Sequence, residues 1–328
     1  MMENLVKQLK ERVDIANRIL VISHRRPDAD TLGAGIAMKL WLESLGKMVT
    51  NACVDKPSKA FSFLPFIDCY VREFDVKEFD LIVIVDCGAS YMTDFHLKYE
   101  DLFSYKSKIV NIDHHASNDM FGDLNIVDTK AASATVIIYN IFKLLCVDIS
   151  EDVATALLAG IYGDTGSFMH SNTSKDVYAI AADLMLHGGR ISEVVKSLFR
   201  SNTVKTLKLW GSVLQKAQVT DDNVVMSIVN EEDYLASNAG PEDLSGVIDY
   251  LNMVPDSKFA VLINEDRKGH VKGSFRTRND EVDLSRIAAV FGGGGHPKAS
   301  GFMMKGKLER EISYKIVSDD MSKKSLEF

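Results

Sequence analysis

The sequence predicts an α/β fold in two domains, and three observations lead there. Through the first half, short apolar runs that read as strands alternate with longer apolar segments of helical spacing, the pattern of a parallel sheet with crossover helices. Several of those runs end on an acidic residue or a histidine, and open α/β sheets bind ligands beyond the carboxyl ends of their strands. Near Gln218 strand-like runs return after a helical stretch, and 328 residues favour two domains over one. The expectation is an N-terminal doubly wound, mostly parallel sheet over 1–195 and a helical linker over 196–215. A smaller C-terminal α/β domain follows over 216–328, with the active site in the cleft between the domains.

Residues 5–19 read as a charged helix with a break near Val13, and 18–23 (RILVIS) as a short buried strand. Residues 31–45 have helical spacing, with Leu32, Ile36, Leu40 and Trp41 on one face and Gly46 as the stop. A strand at 47–54 leads into a polar turn at Asp55-Lys56-Pro57-Ser58. Two further strands end at Asp86 and Asp113, and 133–145 and 152–162 read as apolar helices. Helical patterns fill 175–217, with a turn at Gly188-Gly189 and a helix at 203–217 suited to bridging two domains. Beyond it, 219–229, 258–264 and 270–277 are strand-like, and Asp266-Arg267-Lys268-Gly269 reads as a hairpin turn. The last stretch, 318–328, is polar and expected to fray.

Apolar residues make up 46% of the chain, enough for buried cores. No apolar stretch reaches the roughly 20 residues a membrane helix needs. The first dozen residues are charged, with no signal-peptide core, so a soluble cytoplasmic protein is expected. Cys53, Cys69, Cys87 and Cys146 form no C-x-x-C pair, which removes zinc-ribbon and thioredoxin readings; three of them read as buried thiols. A net charge of −8 lacks the basic footprint of a protein that tracks long duplex DNA. It suits a small phosphorylated substrate, with bound metals supplying positive charge.

Five segments hold the candidate chemistry. In His24-Arg25-Arg26-Pro27-Asp28-Ala29-Asp30 the histidine sits at a strand end and two carboxylates lie in the following loop. A plain capping loop, with Asp30 as N-cap, explains the same letters. Asp86 closes a run of five apolar residues; alone it is equally a turn residue. In Asp113-His114-His115, adjacent side chains of an extended segment point in opposite directions. One histidine can then bind metal while the other faces substrate, and Asp113 orients a ligand or supports the metal shell. Asp164 stands at the C-terminal end of an apolar helix, where the dipole disfavours a carboxylate and a cation would compensate. Gly292, Gly293, Gly294 and Gly295, ahead of His296, either offer consecutive backbone N–H groups to an anion or form a flexible turn. Arg276 and Arg278 alternate on a strand and either grip phosphate or line an exposed edge. His170 follows Asp164 closely enough to reach its surroundings, whereas His96, His187 and His270 read as surface residues. Oxygen and imidazole donors without sulfur suit divalent ions such as Mn²⁺ or Mg²⁺, and such ions do hydrolytic chemistry.

Taken together these residues resemble the DHH phosphoesterase superfamily, named for the triplet seen here as Asp113-His114-His115. H-x-x-P-D-x-D, the strand-end Asp, D-H-H and D-T-G occur in the expected order. The run Gly-Gly-Gly-Gly-His-Pro-Lys-Ala-Ser-Gly is similar to the DHH-associated domain of the first subtype. Length and arrangement are similar to the family's stand-alone bacterial oligoribonucleases (nanoRNases), which also dephosphorylate 3′-phosphoadenosine 5′-phosphate. The resemblance implies two Mn²⁺ ions, with Mg²⁺ as the substitute. His24, Asp28 and Asp86 would hold one, and Asp30, Asp86, His114 and Asp164 the other, with Asp86 bridging. It implies hydroxide attack on phosphate, with His115 contacting the phosphate or protonating the leaving oxygen. Arg276, Arg278, Gly293, Gly294, Gly295 and His296 would hold substrate from the second domain.

The implied activity is hydrolysis of short oligoribonucleotides or linear dinucleotides to mononucleotides, and of 3′-phosphoadenosine 5′-phosphate to AMP. No membrane and no long duplex DNA are expected as partners; a homodimer is left open. Ala29 stands where glycine is common in the family, and Cys87 follows the second Asp, which leaves substrate choice rather than chemistry open. An inorganic pyrophosphatase of the same superfamily would carry a Lys/Arg-rich C-terminal signature in place of the glycines. The family's longer single-strand DNA exonuclease would need an additional domain. A non-catalytic nucleotide-binding protein would have lost ligands, and every matched position is retained.

Overall fold

The computed structural model describes residues 2–199, 202–266, 268–309, 313–318 and 321–327. The chain divides into two compact units, Met1–Ser201 and Asn202–Phe328.

The first unit opens with helix α1 (Met2–Ile15), strand β1 (Arg18–Ile22), helix α2 (Ala29–Ser44) and strand β2 (Met48–Ala52). Strands β3 (Leu81–Val85), β4 (Ile109–Asp113) and β5 (Leu124–Val127) follow, then helices α3 (Ala134–Leu144), α4 (Glu151–Asp164), α5 (Lys175–Leu186) and α6 (Ile191–Phe199). The five strands are parallel, in the order β2-β1-β3-β4-β5. The chain steps outward from β1 to β2, then returns across it to β3. The strand order therefore reverses beside β1 and β3, where such sheets open a crevice.

Period-two alternation puts the strand residues into two cores. Ile19, Val21, Val83, Val85, Val110 and Ile112 pack under α1–α4. Leu20, Ile22, Ile82, Ile84 and Ile109 face the other way. That second face is closed by short 3₁₀ turns between 59 and 108, whose Phe74, Phe79, Phe95 and Tyr99 form an aromatic cluster. A parallel sheet is as expected; a second layer without α-helices is not. Helix α1 is continuous to Ile15 rather than broken near Val13, because Val6, Leu9 and Val13 share one buried face.

The second unit contains α7 (Val204–Gln215), β6 (Gln218–Val219), β7 (Val224–Val229), α8 (Glu231–Ser237), α9 (Val247–Leu251), β8 (Phe259–Glu265) and β9 (His270–Arg276). Then come α10 (Leu284–Val290), β10 (Gly294–His296), β11 (Ala299–Lys305) and a hairpin of β12 (Ser313–Ser318) with β13 (Met321–Glu327). Its main sheet runs β10-β11-β9-β8-β7-β6, with β7 and β8 parallel and the other neighbours antiparallel. The stretch read as a linker, 196–215, is divided. Its first residues end α6, while Leu209 and Val213 of α7 lie in the second unit's core. The strand expected over 219–229 is two strands around a turn, because Thr220 receives the N–H of Asn223. The expected frayed tail pairs as β12–β13; residues 319, 320 and 328 lie outside the described ones. Cys53 and Cys87 are buried, but Cys69 and Cys146 are exposed. Among the described residues no helix is long and apolar enough to cross a membrane.

Candidate active site

The residues that follow β1, β3 and β4 meet beside the last turn of α4. His24 lies two residues past β1, and its loop is pinned from within. Its N–H donates to Thr31 Oγ1 (3.3 Å), the Ser23 hydroxyl donates to the Thr31 carbonyl (3.2 Å), and the Thr31 hydroxyl reaches the Val85 carbonyl (3.3 Å). His24 Nδ1 lies 2.6 Å from the Arg25 carbonyl, which can only accept, so Nδ1 carries hydrogen. Nε2 is thereby turned toward Asp28 (3.7 Å) and Asp86 (3.3 Å). Asp28 is the N-cap of α2, accepting from the N–H groups of Asp30 and Thr31 through Oδ1. The capping role therefore falls on Asp28, not Asp30, and leaves Asp28 Oδ2 toward His24.

Asp30 is fully buried at the start of α2. Its carboxylate accepts from the N–H groups of Ala134 (2.6 Å) and Thr135 (3.0 Å) and from the Thr135 hydroxyl (2.6 Å). These are the orphan donors of the α3 N-terminus, where the helix dipole favours a negative charge. Asp86 leaves β3 in a left-handed backbone conformation, φ +56°, which is rare outside glycine. It is 3% exposed, and its buried Oδ1 has no hydrogen-bond partner. His114 Nε2 faces Asp164 (3.2 Å), Asp86 Oδ1 (3.4 Å) and Asp30 (4.0 Å). Asp164 is the last residue of α4, as expected, and its carbonyl is held by Asn172 Nδ2 (3.2 Å) and lies 3.3 Å from His170 Nδ1. His170 thus touches the backbone of the turn rather than the carboxylate cluster.

Three overlapping groups can each gather around a cation: His24, Asp28 and Asp86; Asp30, His114 and Asp164; and Asp86, His114 and His115. The charges explain why the cluster is poised for one. Burial would push the imidazoles down, but hydrogen bonds and attraction from the carboxylates win: His24, beside Asp28 and Asp86, is raised to about 11. His114, beside Asp164 and Asp86, is raised to about 12. Burial would raise Asp86, yet the two imidazoles hold it well below the usual carboxylate range. Burial raises Asp30, with Asp86 and Asp164 adding to it, and burial raises Asp164 to about 6. Protons on two histidines thus offset part of the acidic charge, and a divalent ion could take their place. The orphaned Asp86 Oδ1 and the all oxygen-and-imidazole donor set fit a hard or borderline cation.

His115 points elsewhere. Its Nδ1 lies 2.7 Å from Asp113 Oδ1 and 3.7 Å from Asp86 Oδ1, and its side chain keeps 33% exposure. Burial lowers and Asp113 raises its pKa, with a net rise. Asp113 is fully buried.

The residues expected to grip substrate all lie in the second unit. His296 and Arg276 both stand opposite Ala299, one on each neighbouring strand. Directly opposed residues share a face, so the His296 imidazole and the Arg276 guanidinium flank a methyl group in one row. Arg276 also lines a cavity of about 290 Å³ with Asn264, Lys272, Ser274 and Glu242. Its Nε lies 3.5 Å from Asp249. Arg278 is exposed past the end of β9. The glycine run does not present four open amides: the N–H groups of Gly292 and Gly293 donate to the Ala289 and Ala288 carbonyls and close the end of α10. Gly294 and Gly295 belong to edge strand β10. Whether those amides are spent depends on where the preceding helix stops, which the glycines alone do not specify. Thr135 and Asn118 are the contributors that the residue pattern missed; both act on a carboxylate rather than as one.

The chain is similar to several known proteins. A protein of Thermus thermophilus named as a bifunctional oligoribonuclease and PAP phosphatase, NrnA, is 29% identical over 300 residues, covering 91% of this chain and 87% of its own. One of the same name from Bacillus subtilis is 24% identical over 298 residues, 90% of this chain and 91% of its own. The fold matches the crystal structure of an exopolyphosphatase-related protein from Bacteroides fragilis with a TM-score of 0.86 at 23% identity, over 93% of this chain and 92% of that one. With the N-terminal domain of the DHH family spanning residues 18–161 and a DHHA1 domain spanning 221–320, the chain belongs to the DHH family.

Proposed function

We propose that this protein is a metal-dependent phosphoesterase that hydrolyses short oligoribonucleotides or linear dinucleotides to mononucleotides, and 3′-phosphoadenosine 5′-phosphate to AMP. The observation that carries the reading is the convergence of carboxylates and two imidazoles on Asp86, whose buried Oδ1 accepts no hydrogen bond while His114 Nε2 stands 3.4 Å away. Relatives of near-full length, named for oligoribonuclease and PAP phosphatase activity, support the substrate class. His24, Asp28 and Asp86 would hold one ion, and Asp30, Asp86, His114 and Asp164 a second; oxygen and imidazole donors favour Mn²⁺, with Mg²⁺ the alternative. Divalent ions there would polarise the phosphate and make water a nucleophile at neutral pH.

The chain's own residues do the rest. His24 Nδ1 stays bonded to a carbonyl, so its Nε2 is the coordinating atom. Asp113 fixes a hydrogen on His115 Nδ1, leaving Nε2 to give a proton to the leaving oxygen. Arg276 and His296 grip a second phosphate or a base of the substrate.

The test is hydrolysis of a 5′-phosphorylated diadenylate and of 3′-phosphoadenosine 5′-phosphate by purified protein. Chelation should abolish both reactions and Mn²⁺ restore them. Asp86→Asn, which tolerates the left-handed backbone, should lower kcat at least ~100-fold and reduce metal content. Full turnover in excess chelator by metal-free protein overturns the proposal.

A further inference from the structure

One polar side chain outside the sets named so far touches most of what fixes His115. Asn118 lies in the turn after β4, and its N–H donates to the His115 carbonyl (3.1 Å). Its Oδ1 accepts from the Met120 N–H (2.8 Å), which settles the orientation of the amide: the nitrogen must face the other way. There Nδ2 lies 2.5 Å from Asp113 Oδ2, 2.8 Å from Asn111 Oδ1 and 3.2 Å from the Cys87 carbonyl. Asn111 in turn donates to the same Cys87 carbonyl (3.2 Å). The network therefore ties the residue after Asp86 to the end of β4. Asp113 is clamped on both oxygens, by Asn118 on Oδ2 and by His115 on Oδ1.

We infer that Asn118 is a positioning residue for the acid step: it locks the Asp113 carboxylate, which then holds His115 in one ring orientation with Nε2 toward the leaving group. The inference rests on the reading of His115 as the group that protonates the leaving oxygen. In that step the P–O bond breaks, its electron pair stays on the leaving oxygen, and a proton passes to that oxygen from His115 Nε2. A carboxylate free to rotate would let the ring turn and misplace the proton. Gly88 backs the same side chain, where a Cβ would come within 3.1 Å of His115 Cβ.

Two substrates separate this role from a turn-forming one. A 5′-phosphorylated diadenylate releases an alkoxide and needs the proton. The p-nitrophenyl ester of thymidine 5′-phosphate releases a stable phenolate and does not. Asn118→Asp keeps the acceptor for Met120 and the turn propensity but replaces the donor facing Asp113 with a carboxylate. Asn118→Ala removes both. With Mn²⁺ bound, each variant should lower kcat on the dinucleotide at least about 10-fold at near-unchanged KM. The same variants should alter turnover of the nitrophenyl ester less than about threefold and leave metal content at the wild-type level. His115→Ala should show the same selectivity, about 100-fold against a few-fold, the range of general acid catalysis. Equal slowing of both substrates by Asn118→Asp, or no slowing of either, overturns the inference while a selective His115→Ala leaves the acid reading intact. A His115→Ala that slows both substrates equally overturns the acid reading itself.

Discussion

His24 and His114 set how the first unit responds to pH. Their imidazoles are raised from the ordinary 6.5 to about 11 and about 12 by the carboxylates around them, against the pull of burial. A raised histidine contributes stability that is fully present below the unfolded value and lost as pH climbs toward the folded one. Asp164, raised to about 6, acts in the same direction, but its effect is complete near that pH. Asp86, held low, contributes above the ordinary carboxylate range and loses its effect only in strong acid. Protein stripped of metal by chelation should therefore show a Tm that falls between pH 6.5 and 9. Mn²⁺ takes imidazole in its deprotonated form, so saturating Mn²⁺ should flatten or reverse that slope. Calorimetric scans across the range decide it, and a flat or rising Tm in the chelated protein contradicts the charge assignment.

Helices α2, α3 and α4 meet at Gly160. A Cβ there would stand 2.5 Å from Asp30 Oδ1 and 2.5 Å from both Cγ2 and Oγ1 of Thr135. The missing side chain is what lets α4 pass against the junction where α3 grips Asp30. Gly160→Ala should push Asp30 off the α3 N-terminus. The expected cost is about 1–3 kcal/mol of overpacking, together with a weaker affinity for Mn²⁺. Thermal melting and metal titration measure the two effects, and wild-type values for both would remove Gly160 from this role. At this scale the sequence could be read only in part. The carboxylates at Asp86 and Asp164 stood out because each closes an almost unbroken apolar run. The second layer between 59 and 108 did not, because 3₁₀ turns have no sustained apolar period to detect. Strand β5 is four residues long, too short for alternation to register. The grip of Thr135 on Asp30 joins residues 105 apart, and local pattern cannot announce such a pair.

Across the whole molecule the two chemistries are divided by unit: the acidic cluster lies in the first, and the row of His296, Ala299 and Arg276 in the second. That division predicts a clean kinetic split. Arg276→Ala and His296→Ala should raise KM for the dinucleotide while leaving both metals bound. Each lost charge-assisted contact is worth about 1.5–3 kcal/mol, roughly 10- to 150-fold in kcat/KM. Steady-state kinetics beside metal analysis of each variant is the check, and wild-type KM values in both would remove the row from substrate binding.

The proposed ligand set also has a clock in it. His24 and Asp164 are 140 residues apart in the chain, with Asp28, Asp30, Asp86 and His114 strung between them. At a synthesis rate of about 5–20 residues per second, roughly 7–30 s pass between the making of the first donor and the last. During that interval the nascent chain carries a growing set of acids and imidazoles with no closed cage. A chain that stalls before the end of α4 has five of the six donors and lacks Asp164. In the proposed site, full coordination would thus be withheld until α4 has been made and packed, so tight uptake of metal would report that the first unit has been built as far as Asp164.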